Sequence, residues 1–504
     1  MMDAPRILFV TPEVTYLPEG MGPAAPFISA KAGGMADVSA GLVGALYEAG
    51  ADIHVALPDF RAIYNRQLPE HGQRSFQTVV RNVPDHRIHF AQDSAFFRQA
   101  NVYSGDFSRN TRMSLAFQRE VINHVLPGVR PDLVHCNDWT TALVPAMARR
   151  LGIPSLFTIH NLLSYRLPLA EVDNHGLDTG EFWPYLYYDA IPAGFDDALK
   201  NRWLDTLASG VFASHFINTV SHTFLHELTR GQHGSVDPAI VRVVADKLRA
   251  GCAVGIPNAP DPSFDPARDD SLAARYGPDD NGEGKAANKL ALQDRLGLTR
   301  DSRAPLFFWP SRLDPAQKGC HLLEGLLPDF LDIHGEYNAQ VAFVADGPHQ
   351  DRFRQLARDP ATEGRVAVAD FDDGLSRLAF AGSDFVLMPS AYEPCGLPQM
   401  IGARYGALPV AYDTGGLHDT VTHFSPDHGS GNGFLFRHFD SPGLAWAMGE
   451  AMEFFRLPGS RRGAVVARVM REAREDFDFR NTARQYMDLY ERMLDRPLVQ
   501  PKDS

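Results

Sequence analysis

Asp384-Phe-Val-Leu-Met-Pro389-Ser-Ala-Tyr-Glu393-Pro394-Cys395-Gly396-Leu397-Pro398-Gln399 is followed closely by Leu408-Pro-Val-Ala-Tyr412 and Thr414-Gly415-Gly416-Leu417. A short apolar run ends at Pro389, a glutamate follows in a turn punctuated by proline and glycine, and a helix is expected from Pro398. The second run repeats the device, with Gly415-Gly416 as the turn and a helix from Leu417. The N–H groups at a helix start suit an anion. Two adjacent strand–glycine–helix units predict an α/β fold with a ligand of nucleotide type at the carboxyl ends of a parallel sheet.

The rest of the chain extends this pattern in both directions. Ile7-Leu-Phe-Val-Thr11 is a first buried strand, and a Pro/Gly-rich loop leads to Lys31-Ala-Gly33-Gly34-Met35-Ala-Asp37-Val38. Apolar spacing from Met35 to Tyr47 is helical, so Gly33-Gly34 marks a loop-to-helix junction with a lysine beside it, the composition of a phosphate cradle. Asp132-Leu-Val-His135-Cys-Asn137-Asp138 and Pro154-Ser-Leu-Phe-Thr-Ile159-His160-Asn161 are strands that end in polar residues. A helix is expected over Thr140–Leu151. Residues 64–110 are polar with scattered aromatics and predict strand hairpins. Residues 162–200 read as a loop-rich insertion with a satellite aromatic core.

Composition shifts between Asn258 and Gly297, where Asp, Pro, Gly and Lys become frequent, and the domain boundary is expected there. A second alternation of strands and helices follows from Leu306. Arg312 and Lys318 lie in the loop after its first strand, where cations would meet a diphosphate. The segment Arg471–Leu498 predicts one amphipathic helix. The architecture is therefore two doubly wound α/β halves, each presenting its strand carboxyl ends to a cleft.

Composition narrows the function classes. With 504 residues the chain is long enough for more than one domain. A net charge of -14 excludes the basic face of a nucleic-acid binder and disfavours adhesion to anionic membranes. Cys136, Cys252, Cys320 and Cys395 have no metal-ligand spacing and read as reduced thiols in a cytoplasmic protein. No metal or other cofactor is expected.

The motifs together resemble bacterial glycogen synthases and plant starch synthases. The resemblance rests on Lys31-Ala-Gly-Gly, His135-Cys-Asn-Asp-Trp-Thr-Thr, Thr158-Ile-His-Asn, Lys285-Ala-Ala-Asn-Lys289, Ser311-Arg-Leu with Gln317-Lys-Gly, Met388-Pro-Ser-Ala-Tyr-Glu-Pro-Cys-Gly-Leu-Pro-Gln and Thr414-Gly-Gly-Leu, in the family's order. It covers the chain from Ile7 to about Leu494. It implies a GT-B fold: two Rossmann-like domains, residues 1–258 on the acceptor side and 259–480 on the donor side, with a terminal helix over 481–504 packing back on the first. It implies a retaining glucosyltransferase that uses ADP-glucose and an α-1,4-glucan, with no metal. Glu393, His160, Arg312, Lys318 and Asp138 would be catalytic. Lys31, Gly33, Gly34, Asp37, Asn258, Cys395, Gly396, Leu397, Thr414, Gly415 and Gly416 would bind the donor.

The sequence departs from the family pattern at several positions. Ala391-Tyr392 and Tyr412-Asp413 stand where the family has arginines, and Arg312 and Lys318 are one residue further apart than usual. These departures keep alternatives open: UDP-glucose as donor, a small-sugar acceptor, or a glucan-binding homologue without catalysis. The sequence is silent on oligomeric state.

Overall fold

The structure is a computed structural model that describes residues 4–66, 68, 76, 80, 86–233 and 236–499. It divides into two bodies, Met1–Asn258 with Phe479–Ser504, and Ala259–Asp478. The strands of the first are β1 (Arg6–Val10), β2 (Asp52–Pro58), β3 (Ile88–Ala91), β4 (Leu133–Asn137), β5 (Ser155–Ile159), β6 (Arg166–Pro168), β7 (Trp203–Asp205), β8 (Phe216–Thr219) and β9 (Ala253–Gly255). Seven of these form one sheet in the order β3-β2-β1-β4-β5-β8-β9, and every pairing is parallel. In the second body β10 (Leu306–Trp309), β11 (Gln340–Val344), β12 (Val366–Ala369), β13 (Phe385–Met388), β14 (Leu408–Tyr412) and β15 (Phe434–Phe436) form a parallel sheet ordered β12-β11-β10-β13-β14-β15.

Both orders reverse direction once, between β1 and β4 and between β10 and β13. A parallel sheet buried on both faces needs nearly continuous apolar strands. Leu306–Trp309, Gln340–Val344 and Phe385–Met388 are buried throughout. At each reversal neighbouring connections leave in opposite directions and open a crevice at the carboxyl ends.

The opposite end of the second sheet is held by two buried lysines. Lys289 Nζ lies 2.5 Å from Asp384 Oδ2 and donates to the Ala304 carbonyl, while the same Asp384 oxygen accepts the Leu306 N–H. Lys285 donates to the carbonyls of Ala381 and Tyr405, both at 3.0 Å. The motif Lys285-Ala-Ala-Asn-Lys289 thus fastens helix Asn281–Leu296 across the entry to β10 and β13.

Three local expectations are corrected. Among the described residues of 64–110 there is no hairpin: β3 pairs parallel with β2, and helices Ser94–Phe97 and Phe107–Glu120 follow. Asp93 and Asp106 cap those helices by accepting main-chain N–H groups, which starts helices where a polar stretch read as turns. Helix Thr140–Leu151 is shorter, a 3-10 turn at Trp139–Thr141 and then Val144–Arg150. Arg471–Leu498 is two helices, Gly459–Asp476 in the second body and Phe479–Leu494 in the first. The insertion after residue 162 holds the two-stranded ribbon β6-β7 and short helices around buried Phe182 and Leu186.

Helix Phe479–Leu494 is joined to the first sheet by a chain of buried hydrogen bonds. Tyr490 O–H donates to His135 Nδ1 and His135 Nε2–H to Thr158 Oγ1, each at 2.6 Å. Thr158 O–H donates to Asn218 Oδ1, and Asn218 Nδ2 donates to Tyr486 at 2.8 Å. Burial holds His135 well below the usual imidazole range, so it stays neutral and can accept on one nitrogen while donating from the other. Gly41 lets the helices close up, since a Cβ there would come within 2.1 Å of the Phe479 ring. Tyr490→Phe keeps the ring and strands one buried acceptor. It is expected to cost about 1–3 kcal/mol, read from urea unfolding followed by circular dichroism; an unchanged midpoint would show that the chain of bonds contributes nothing.

Candidate functional site

Each body carries a cluster of polar groups just past its point of strand reversal. In the first, β1 leads to Glu13, β4 to Asn137 and Asp138, and β5 to His160. Glu13 Oε2 accepts the N–H groups of Ala32 at 2.5 Å and Gly33 at 3.2 Å. The loop-to-helix junction read as a phosphate cradle therefore already holds a carboxylate of its own chain. Lys31 pairs with Asp37 at 2.8 Å, and Asp37 also accepts the Thr15 hydroxyl. Gly34 opens helix Gly34–Glu48, behind Gly33 at its N-cap.

Asp138 has φ 58 and ψ 179, a backbone region that costs a non-glycine residue about 1–3 kcal/mol. Its side chain over-determines it. Oδ1 accepts the N–H groups of His160 at 2.7 Å and Asn161 at 3.2 Å, and Oδ2 accepts Asn161 Nδ2 at 2.5 Å. His160 Nε2 donates to Asn137 Oδ1 at 2.9 Å, and Asn137 Nδ2 donates to the Val10 carbonyl. Asp138, His160, Asn137 and β1 are thus one connected frame.

Burial dominates the electrostatics of this frame. It pushes the carboxyls of Glu13 and Asp138 up to about 7, against the backbone hydrogen bonds that pull them down. It pushes His160 down to about 4, so the imidazole is neutral near pH 7. The Tyr103 phenol is held well above its ordinary value, first by burial and then by the nearby Glu13 and Asp138.

In the second body β10 leads to the turn Ser311–Gly319, β13 to Glu393, and β14 to Gly415-Gly416. Lys318 Nζ lies 2.5 Å from Glu393 Oε2, and the Ser390 hydroxyl donates to the same oxygen at 3.0 Å. The pair is mostly buried. Arg312 is 64% exposed and reaches Gln317 Oε1 at 3.2 Å and Asp314 at 3.7 Å. Glycines bring the loops together. Gly319, at φ 70, lies where a Cβ would meet the Pro389 carbonyl at 2.0 Å, and a Cβ on Gly416 would meet the Cys395 carbonyl at 2.1 Å. The Gly416 N–H donates to the Glu393 carbonyl at 2.9 Å. Gly396 and Gly415 take positive φ, and Leu397 is the N-cap of helix Pro398–Arg404. Thr414 is buried at the N-cap of helix Gly415–Thr420.

The structure brings Lys31, Gly33, Gly34 and Asp37 together, and Asp138 with His160. It separately brings together Lys318, Glu393, Cys395 and Gly416. Asn258 ends the first stretch of chain in body one, and its buried Oδ1 has no hydrogen-bond partner there. Among the described residues no group of three or more His, Cys, Asp or Glu side chains is placed to hold a metal, and no helix is long and apolar enough to cross a membrane. All four cysteines are thiols.

Residues 6–240 match the family model of the starch synthase catalytic domain, and 304–453 that of the glycosyl transferases group 1. A glycogen synthase of Syntrophotalea carbinolica is 33% identical, over 94% of this chain and 97% of its own. One from Exiguobacterium sibiricum is 32% identical, over 93% and 96%. The chain belongs to the glycogen synthase family. The catalytic domain of starch synthase IV from Arabidopsis thaliana, bound to ADP and acarbose, superposes with a TM-score of 0.77 at 26% identity, covering 98% of this chain and 100% of that one. A sucrose-phosphate synthase from Thermosynechococcus elongatus shares the fold alone, with a TM-score of 0.58 at 17% identity. The sequence reading of two doubly wound domains of GT-B type is borne out by the two sheets and by these matches.

The sequence reading noted Asn137, Asn161 and Ser390 only as members of their strands and motifs, and it passed over Glu13, Tyr103 and Phe371. Glu13 follows the carboxyl end of β1 and could have been found by that rule alone. Tyr103 is far in sequence from Glu13 and Asp138, whose charges act on it, and carried no signal. Phe371, just past β12, is 55% exposed, and its N–H is fixed by Asp346 Oδ1 at 3.1 Å.

A pH test isolates Glu13 in this glycogen synthase family member. Its folded-state value near 7 lies above the ordinary 4.5, so the proton is held more tightly when folded. The stability this contributes is complete below the ordinary value and is lost as the pH rises through about 7. Glu13→Gln keeps an oxygen for the two N–H groups but cannot ionise. Relative to the parent, the variant is expected to gain thermal stability as the pH is raised through that window. A difference in melting temperature that does not vary with pH would refute the raised value.

Proposed function

We propose that this chain transfers glucose from ADP-glucose to the non-reducing end of an α-1,4-glucan with retention of configuration, as a soluble-polymer synthase that needs no metal. The observation that carries the reading is the Lys318–Glu393 pair at the reversal of the second sheet, packed against the Gly415-Gly416 turn, in a chain that belongs to the glycogen synthase family. The starch synthase IV domain bound to ADP and acarbose, a nucleotide and an oligosaccharide analogue, supports the two substrate classes.

In this reading the second body holds the donor. Lys318 and Arg312 meet the diphosphate, and negative charge grows there as the glucosyl bond breaks. Fixed cations aimed at developing charge lower the barrier without reorganising. Lys318 must then be shared between Glu393 and the leaving group, and Ser390 keeps Glu393 in place as the ammonium shifts. Glu393, with Cys395, Gly396 and Leu397, grips the sugar's hydroxyls. Thr414, Gly415 and Gly416 flank the phosphates. The half-exposed Phe371 ring at the carboxyl end of the same sheet offers a face to the nucleobase.

The first body serves the sugar that reacts. His160 stays neutral and donates toward Asn137, leaving Nδ1 as an acceptor for a hydroxyl. Asp138 fixes the main chain of His160 and Asn161. Lys31, Asp37 and the two glycines carry the remaining contacts to the nucleotide sugar, and Asn258 is assigned to the donor side. The sugar cation of the transition state resembles that of glycoside hydrolysis. With no second carboxylate assigned as nucleophile, the acceptor hydroxyl attacks from the face the diphosphate leaves.

The assay is direct. ADP-glucose or UDP-glucose is incubated with glycogen, and nucleotide release and chain extension are measured. Extension with ADP-glucose is expected, and no extension with either donor would end the proposal. Lys318→Ala is expected to lower kcat by about 10²-fold or more, the scale for losing one preorganised stabiliser. Phe371→Ala is expected to raise the KM for the donor about tenfold, since base stacking on an aromatic ring contributes about 1–3 kcal/mol, with kcat nearly unchanged. An unaltered KM would remove Phe371 from the nucleotide site.

A further inference from the structure

The outer edge of the second sheet carries a groove that none of these roles uses. It encloses about 630 Å³ and is lined by Asp413, His423, Arg437, His438, Asp440 and Trp446, with apolar residues of β15 beneath. That volume lies in the range of about 300–1,000 Å³ typical of small-molecule sites.

A ring stack forms one wall. Trp446, in helix Ser441–Phe455, lies nearly parallel to His423, at 9° with centroids 5.5 Å apart. His423 is fixed in turn, because its Nδ1 accepts the Leu435 N–H of edge strand β15 at 3.1 Å. The indole is thus backed on one side by a ring anchored to the sheet, yet Trp446 remains 52% exposed. A rigid tryptophan left half in water presents a large apolar face at little entropic cost on binding.

The groups around it can bind hydroxyls. Arg437 is 85% exposed, with its Nε 3.5 Å from Asp413. Asp413 is oriented by His418 Nδ1 at 2.6 Å. Asp440 caps helix Ser441–Phe455 by accepting the Gly443 N–H at 2.7 Å, and His438 is exposed. Two carboxylates, one guanidinium and two imidazoles set hydrogen-bonding groups of both signs around the ring. A phosphate or a polyanion would meet the carboxylates, and a polycation would meet Arg437. A neutral ligand with apolar faces and many hydroxyls satisfies every wall, and a glucosyl ring has that character.

We propose that this groove is a second α-glucan-binding site, where a polymer chain docks by stacking a glucosyl ring on Trp446 and hydrogen-bonding through Arg437, His438 and Asp440. The inference rests on the glucan reading of the function. No bond is made or broken there. Anchoring one branch of the polymer raises the effective concentration of its other chain ends.

The test compares long and short acceptors. Trp446→Ala is expected to raise the KM for glycogen about tenfold, to weaken retardation in glycogen-containing native gels, and to leave kcat and the KM for maltotriose and for the nucleotide sugar as in the parent. Trp446→Phe, which keeps a stacking face, is expected to restore most of the glycogen affinity. Unchanged retardation of Trp446→Ala would overturn the proposal. A rise in the KM for the nucleotide sugar would also overturn it, by assigning the groove to the donor. Loss of self-association in Trp446→Ala without loss of glycogen binding would overturn it in favour of a second copy of the chain. Failure of the parent to extend either glycogen or maltotriose would instead count against the glucosyl-transfer reading, while glycogen retardation would still report on the groove.

Discussion

Strand direction is the constraint on which both halves of the molecule depend. In an all-parallel sheet every strand delivers its trailing residues to the same side. Thr11 and His160 stand 149 residues apart in sequence (160 − 11), with Asn137 between them, yet β1, β4 and β5 deposit all three on one edge. The same holds for the turn after β10, for Glu393 after β13 and for Gly415 after β14. Where the strand order reverses, the connecting chains part and leave room for a ligand. The chemistry of each body is then a matter of which side chains stand at that opening.

The two openings treat their carboxylates in opposite ways. In the second body Glu393 is neutralised by Lys318 and further held by Ser390. In the first, Glu13 and Asp138 have main-chain N–H groups and an amide as hydrogen-bond partners, and burial drives both toward protonation. The backbone strain at Asp138 belongs to this arrangement. A conformation that few residues adopt persists because three hydrogen bonds to His160 and Asn161 hold the side chain where it is.

Much of this was legible in the sequence because it depends on local signals. Apolar runs such as Phe385–Met388 that end in Pro, Gly or polar residues mark strands and their carboxyl ends, and Gly319 and Gly416 mark close approaches that no Cβ allows. The family motifs located Lys318, Glu393 and His160 but not their partners. That Lys318 pairs with Glu393, or that Glu13 fills the junction at Ala32 and Gly33, depends on loop conformation across the sheet, which no periodicity records. The stretch around residues 88–120 misled for a related reason. β3 is only four residues long, and Asp93 and Asp106, which start helices, look like turn residues until their N–H partners are known. The helix break at residues 477–478 falls where the chain passes from one body to the other, inside a continuous amphipathic pattern.

That passage bears on how the molecule is made. The first body takes its final helix, Phe479–Leu494, from the far side of some 220 intervening residues. Until that helix emerges from the ribosome, His135 and Asn218 lack the tyrosines that complete their hydrogen bonds, and the surface at Gly41 has nothing packed on it. The amino-terminal sheet is synthesised first but finished last. The second body, whose residues are contiguous, takes no element from beyond Asp478.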